Sequence, residues 1–240
     1  MAAQSGKVNQ FNRKEEPAST KPLTQIQCQF CRIFLQKAGM LETLNHRMFD
    51  ALAAPHGLAG ASLLAILLLA QGAIYAGPSV LVFLWIFGEA DDRRAAVGAC
   101  LSSLLALAIA HVISSAYMHP RPFMDGPVRN YLGHSPDSSF PSDHSTLLFA
   151  LGFALWICPP RQGRWFGGLL LAIGIAVGWA RICLGAHYPL DIVGAALVAA
   201  VSAWTFALPA GRALSAHIAT FCEWLFGWSI AGRKKNIRRS

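Results

Sequence analysis

WFGGLLLAIGIAVGWARICLGAHYPLDIVGAALVAAVSAWTFALP, residues 165–209, decides the fold. Two apolar runs, 165–183 and 190–209, flank a short polar corner. Each run comes close to the roughly 20 residues a helix needs to cross the hydrocarbon of a bilayer. Both are rich in Gly and Ala, which let membrane helices approach closely. In the corner, Arg181, His187 and Asp191 arrive together in an apolar setting. Ionisable groups are costly to bury near lipid, so such a cluster marks a functional site. Taken alone, the triplet also fits a snorkelling Arg and a stray interfacial His.

Working outward, 54% of the 240 residues are hydrophobic and 13% are charged, against about 25% charged in soluble domains. Further apolar runs cover 57–88, 95–118 and 143–158, the last stopped by Pro159-Pro160. The run 57–88, interrupted by Gly72, Gly77 and Pro78, is long for one upright helix and short for two. It reads as one crossing after an interfacial or re-entrant helix, or as two thin crossings. The turn Glu89–Arg94 ends it; Asp91-Asp92 beside Arg93-Arg94 reads as a solvated loop, not a metal pair. His111 reads as a satisfied bundle histidine. In 213–228, Leu214, Ile218, Phe221 and Leu225 share one face, and His217, Thr220 and Glu223 another. With Trp224 and Trp228 this is an interfacial amphipathic helix. The expected fold is an all-α polytopic membrane helix bundle with five or six membrane segments. Residues 1–39 form a flexible polar tail ending in a short helical stretch, 40–210 the membrane domain, and 211–240 the amphipathic helix with a basic tail. No signal-peptide pattern opens the chain, and MLETLNHRMFDAL from Met40 resembles a natural start.

The net charge of +8 raises nucleic acid as a partner. No basic stripe interleaves with aromatics, however, and Lys and Arg sit at span ends, which is a topology signal. Loop 89–94, loop 159–164, Arg212 and the C-terminal tail share one side by alternation and hold ten Lys and Arg. The opposite loops hold three, Arg121, Arg129 and Arg181. The first side is therefore expected in the cytoplasm, with loop 119–142 and the Arg181–Asp191 corner outside. The side of the N-terminal tail stays open. The six cysteines make no disulfide framework: Cys100, Cys158 and Cys183 read as small core residues, and the Cys28/Cys31 pair lacks partners for a zinc or redox site.

Three polar segments thus meet on the outer side: HPRPF (119–123), SFPSDH (139–144) and the opening corner. Two guanidiniums, Arg121 and Arg181, suit an oxyanion with several oxygens. Ser142 stands where a helix begins, and free N–H groups there favour a phosphate; Ser139 or Ser142 equally fits a plain helix cap. His144 and His187 suit the two roles of nucleophile and proton donor. Asp191, four residues after His187, can reach back to Nδ1–H and leave Nε2 to attack phosphorus. Carboxylates are too few for a metal cage, so no metal and no cofactor are expected.

These motifs resemble the type-2 phosphatidic acid phosphatase superfamily. FPSDH (140–144) is similar to its second signature, Ala-Arg followed by His187 and Asp191 to its third, and Arg121-Pro122 to the end of its first. HPRPF, HSPDSSFPSDH (134–144), LGAHYPLD (184–191) and MLETLN (40–45) are similar to the bacterial undecaprenyl-diphosphatase branch. The resemblance implies the superfamily's helical fold. It implies hydrolysis of undecaprenyl diphosphate to the monophosphate carrier at the outer face of the inner membrane, in support of peptidoglycan synthesis, with bacitracin resistance on excess activity. It implies that His187 becomes phosphohistidine, that Asp191 orients it, and that His144 protonates the leaving lipid phosphate and then activates water. Arg121, Arg181 and Ser142 would hold the phosphate, with His119, Arg129 and His134 as further substrate contacts. The superfamily's Lys, seven residues before the first-motif Arg, is Ser114 here, beside Ser115. Expected partners are a polyprenyl diphosphate lipid and the bilayer, not nucleic acid; the sequence assigns no oligomeric state. Alternatives are another lipid phosphate (phosphatidylglycerol phosphate, phosphatidic acid or lipid A), a lipid phosphotransferase, or a non-enzymatic scaffold.

Overall fold

The structure, a computed structural model, describes residues 23–53, 58–162 and 164–225. Two expectations, the polar start of the tail (1–22) and the basic C-terminus with Trp228, fall outside the described residues, as do the side chains of Cys28 and Cys31. The chain divides into two compact units, 1–43 and 44–240. Of the first, the described part is the opening of α1 (Leu23–Leu52), where Thr43 Oγ1 donates to the Gly39 carbonyl at 2.8 Å. The short helical stretch expected before Met40 is thus part of a 30-residue helix.

In the second unit α2 (Gly60–Gly72) runs through a 3₁₀ turn, Ala73–Tyr75, into α3 (Ala76–Phe87). Together they make one apolar stretch of 28 residues, Gly60–Phe87, which is one candidate crossing with a change of pitch at its middle. At 1.5 Å per residue it spans about 42 Å, enough to cross with tilt. Then come α4 (Ala90–Ala116), the single turn α5 (Pro122–Asp125), α6 (Asp143–Ile157), α7 (Trp165–Cys183), α8 (Pro189–Ala207) and α9 (Pro209–Leu225). Four stretches are long and apolar enough to cross a membrane, and α6 is a fifth, shorter apolar helix. The protein is an all-helical, multi-pass membrane protein, with no strand among the described residues.

The central helix is α6, which packs against α4, α7 and α8. Its Leu148, Ala150 and Leu155 are fully buried. Large apolar side chains elsewhere point outward instead, among them Leu68, Val112, Ile175, Leu197 and Val201. That reversal suits lipid as the surrounding solvent. Lipid gives little hydrophobic drive for helices to associate, so packing must come from close approach. Gly167 provides it: a Cβ there would lie 2.6 Å from the Trp156 backbone nitrogen and 2.8 Å from the Gly152 carbonyl oxygen. The main chains of α6 and α7 therefore touch.

The expected solvated loop at 89–94 is corrected. Residues from Ala90 onward are helical, and Glu89 and Asp92 form a reciprocal capping box. The Asp92 carboxylate accepts from Glu89 N at 2.8 Å and from Arg161 N at 2.6 Å, and it is buried. Arg93, only 1% exposed, donates to Glu223 of α9 at 2.5 Å and to the Gly88 carbonyl at 2.7 Å. Orphan N–H groups at the helix start recruit Glu89 and Asp92; Asp92 and Arg93 are packed inward, while Glu89, Asp91 and Arg94 stay in solvent. Glu223 is thereby drawn off the polar face the sequence assigns it, and α9 lies on α4 and α8.

Candidate active site

The corner between α7 and α8 is a sharp one. Gly185 adopts φ +71°, and a Cβ there would lie 2.3 Å from the Val128 side chain. Only glycine fits such a turn without strain. After it, α8 begins with Tyr188 as cap, Pro189 in the first turn and Asp191 at the third position. The Asp191 carboxylate accepts from Tyr188 N at 2.8 Å. Leu190 N is satisfied by Asn45 of α1 at 3.0 Å. Such caps are worth about 1 kcal/mol each, and here they also fix where His187 stands.

His187 is 2% exposed, and its Nδ1 lies 2.8 Å from the Ser139 carbonyl oxygen. A carbonyl only accepts, so Nδ1 carries the proton and Nε2 keeps its lone pair. The Asp191 carboxylate stands 3.5 Å from the same Nδ1. The direct orienting contact is therefore a main-chain oxygen, with the carboxylate adding negative charge beside the ring. Burial pushes the His187 pKa below its ordinary value; Asp191 pulls it back up, while Arg181 and Arg121 push it down. The ring is neutral at pH 7, as a nucleophile must be.

The two guanidiniums converge on this ring. Arg121 Nη1 lies 3.4 Å from His187 Nε2 and donates to the Ala186 carbonyl at 3.0 Å. Its other nitrogens donate to the Ser138 carbonyl at 3.3 Å and to the Asp137 carboxylate at 2.7 Å. Arg181 donates to His134 Nε2 at 2.7 Å and to the Ala70 carbonyl at 3.5 Å, with its buried Nε left unpartnered. His134 must be neutral to accept that bond. Burial, then Arg181 and Arg121, push its pKa down to about 4. The Asn130 side chain grips the His134 backbone at both N and O, at 3.1 and 2.8 Å.

The sequence-expected residues divide as follows. His187, Asp191, Arg121, Arg181 and His134 come together. His144, on the first turn of α6 and half-buried, lies among Arg181, His187 and His134. Ser142 is the cap residue of α6 but makes no side-chain cap bond; its buried hydroxyl has no partner. The Asp143 to Ser145 amides at this helix start are the ones that lack intrahelical acceptors. His119 is buried beside the same aspartate. Its Nδ1 lies 2.7 Å from Ser139 Oγ and 3.5 Å from Asp191 Oδ1, so it backs the aspartate. The Arg129 guanidinium lies over the Tyr131 ring at 5.3 Å instead of joining the cluster. Sequence reasoning missed Asp137, Asn45 and Asn130. Only Asn45 carried a signal, as a polar residue in the MLETLN run.

A multi-pass helical bundle that gathers a neutral buried histidine, an aspartate and two guanidiniums at one end is built for an enzyme acting on a phosphorylated group. The chain belongs to the PAP2 superfamily and is a phosphatase of that family: its residues 95–213 match the PAP2 superfamily, and relatives match it over two thirds of its length. It is 31% identical over 166 residues to the undecaprenyl-diphosphatase BcrC of Bacillus subtilis (strain 168), covering 68% of this chain and 82% of that one. It is 36% identical over 108 residues to a lipid A 1-phosphatase of Rhizobium johnstonii, covering 43% and 39% respectively. The crystal structure of Aquifex aeolicus LpxE shares the fold, with a TM-score of 0.54 at 22% identity over 68% of this chain and 93% of that chain.

Proposed function

We propose that this protein hydrolyses undecaprenyl diphosphate to undecaprenyl phosphate and inorganic phosphate, on the outer face of the bacterial inner membrane, recycling the cell-wall lipid carrier. The observation that carries the chemistry is the His187 tautomer: proton on Nδ1, lone pair on Nε2, beside the Arg121 guanidinium. Nε2 attacks the terminal phosphorus, a phosphorus–nitrogen bond forms, and the bond to the bridging oxygen breaks. His144 gives its proton to the leaving lipid phosphate. It then takes one from water, which attacks phosphohistidine and returns His187 to its starting state. Arg121, Arg181, the Ser142 hydroxyl and the start of α6 carry the negative charge of the transition state. Positioning and charge stabilisation are most of what phosphoryl transfer requires, and the reading needs no metal.

The choice of lipid rests on BcrC, which the chain matches over most of both lengths. A second reading, another lipid phosphate such as lipid A, is supported by the Rhizobium relative. Phosphate release in EDTA from purified protein, compared across undecaprenyl diphosphate, phosphatidylglycerol phosphate, phosphatidic acid and lipid A, decides between them. Undecaprenyl diphosphate should turn over fastest; faster turnover of any other overturns the substrate. His187→Ala should abolish release, and full turnover in that variant overturns the mechanism.

A further inference from the structure

A second polar feature lies at the other end of the bundle, and the reaction above uses none of it. A cavity of about 650 Å³ opens between α4, α6, α8 and α9. It is lined by the first turns of α4 and α9 and the last turns of α6 and α8. His144 and His187 stand at the opposite ends of those latter two helices. Along α6 the separation is about 20 Å, at 1.5 Å per residue.

Three guanidiniums line the cavity, Arg94, Arg161 and Arg212, against one carboxylate, Asp91. Arg94 pairs with Asp91 at 2.9 Å, and Arg161 pairs with Glu89; both pairs are well exposed. Arg212 has no ion-pair partner among the described residues. Exposed pairs of this kind contribute little and open easily, whereas guanidinium–phosphate bonds are charge-assisted and bidentate. Below the charged rim the walls are apolar, with Ala99, Ala154 and Phe206 among them. The cavity's frame is firm. The Arg93–Glu223 pair, buried on its arginine side, ties α9 to α4, and Gly98 brings the helices together, since a Cβ there would lie 3.3 Å from Ser215 Oγ.

We infer that this cavity binds one anionic glycerophospholipid, its phosphate on Arg94, Arg161 and Arg212 and the upper part of an acyl chain along the apolar wall. A free anion would use the rim but not the wall. A zwitterionic lipid would bring its own cation against three others. The end of the bundle that carries the excess of Arg is also the end expected to face the leaflet rich in anionic lipids. The inference stands apart from the choice of phosphatase substrate, because the residues of the two sites do not overlap.

The test uses the full chain in nanodiscs of phosphatidylcholine with graded phosphatidylglycerol, released into detergent and weighed by native mass spectrometry. The wild type should retain one phosphatidylglycerol in preference to phosphatidylcholine. The triple variant Arg94→Gln, Arg161→Gln, Arg212→Gln should lose it, with at least about tenfold weaker retention, as expected for loss of charged hydrogen bonds. Millimolar inorganic phosphate should not displace it, and hydrolysis in phosphatidylcholine should be unchanged. Equal retention by both proteins, equal retention of both lipids, or displacement by inorganic phosphate each overturns the inference. If the triple variant does not fold, Arg212→Gln alone is read by the same criteria; its exposed side chain has no carboxylate to leave behind.

Discussion

The two ends of the bundle bury arginine in opposite ways. At one end Arg93 is closed in by Glu223, the Gly88 carbonyl and the packing of α9. At the other, Arg121 and Arg181 are as well buried, at 7% and 2% exposure. Besides the main-chain carbonyls of Ala186, Ser138 and Ala70, what faces them is removable: an Asp137 carboxylate whose side chain is 61% exposed, and a neutral His134 ring. A buried charge needs partners in either case. A partner held on a packed helix makes the charge part of the frame. A partner on a surface loop leaves the charge able to exchange it. In the proposed reaction a phosphate oxygen replaces Asp137 on Arg121.

The sharpest way to break this comparison is to remove each arginine's function in turn. Arg181→Ala should lower kcat/KM about 10²–10³-fold, as loss of one donor to a developing anion does elsewhere, while the folded fraction in detergent is kept. Unaltered kinetics would place the phosphate elsewhere. Glu223→Gln should do the reverse. Leaving Arg93 without its carboxylate should cost on the order of 3 kcal/mol of stability, read from thermal unfolding in detergent, with activity per folded molecule unchanged. A stable variant with impaired turnover would erase the distinction between the two ends.

Smaller effects sharpen it. Asp137→Asn should lower KM by roughly two- to fivefold, the worth of one exposed ion pair, because the substrate no longer competes with a carboxylate. A raised KM would make Asp137 a substrate contact instead. A further test is in pH. His134 is held neutral in the folded state, with its pKa pushed down to about 4 from an ordinary value of about 6.5. Between those values the unfolded chain binds the proton and the folded one does not. Stability is therefore full above about pH 6.5, falls as pH drops towards 4, and then levels. His134→Gln should flatten part of that fall; an unchanged pH profile would remove His134 from the cluster.

Much of this is legible in the sequence. The runs 165–183 and 143–158 coincide with α7 and, to within a residue, α6, because uninterrupted apolar sequence between prolines and charges leaves the chain little choice. The motif residues of the corner and of FPSDH were legible because charge in an apolar chain stands out. What was not legible depended on tertiary partners. Asp92 looks like loop until Arg161 N, 69 residues away, is seen to need it. Asp137 looks like a loop acid, and nothing in its neighbourhood announces Arg121. His119 sits in a motif beside Arg121, which points it to the same ligand. Its ring in fact meets Ser139 and stands beside Asp191, contacts that its neighbours in sequence do not announce.

The contact between His187 Nδ1 and the Ser139 carbonyl has a genetic consequence. A main-chain oxygen is common to every residue type, so no single-codon change deletes it. The tautomer of the nucleophile is therefore insulated from mutation at 139 so long as the backbone holds its path. Asp191 has no such protection, and what its loss removes is charge more than direction. Asp191→Asn keeps the cap on Tyr188 and discards only the charge, so it should retain more turnover than Asp191→Ala, which discards both; equal losses would mean that charge alone matters at this position.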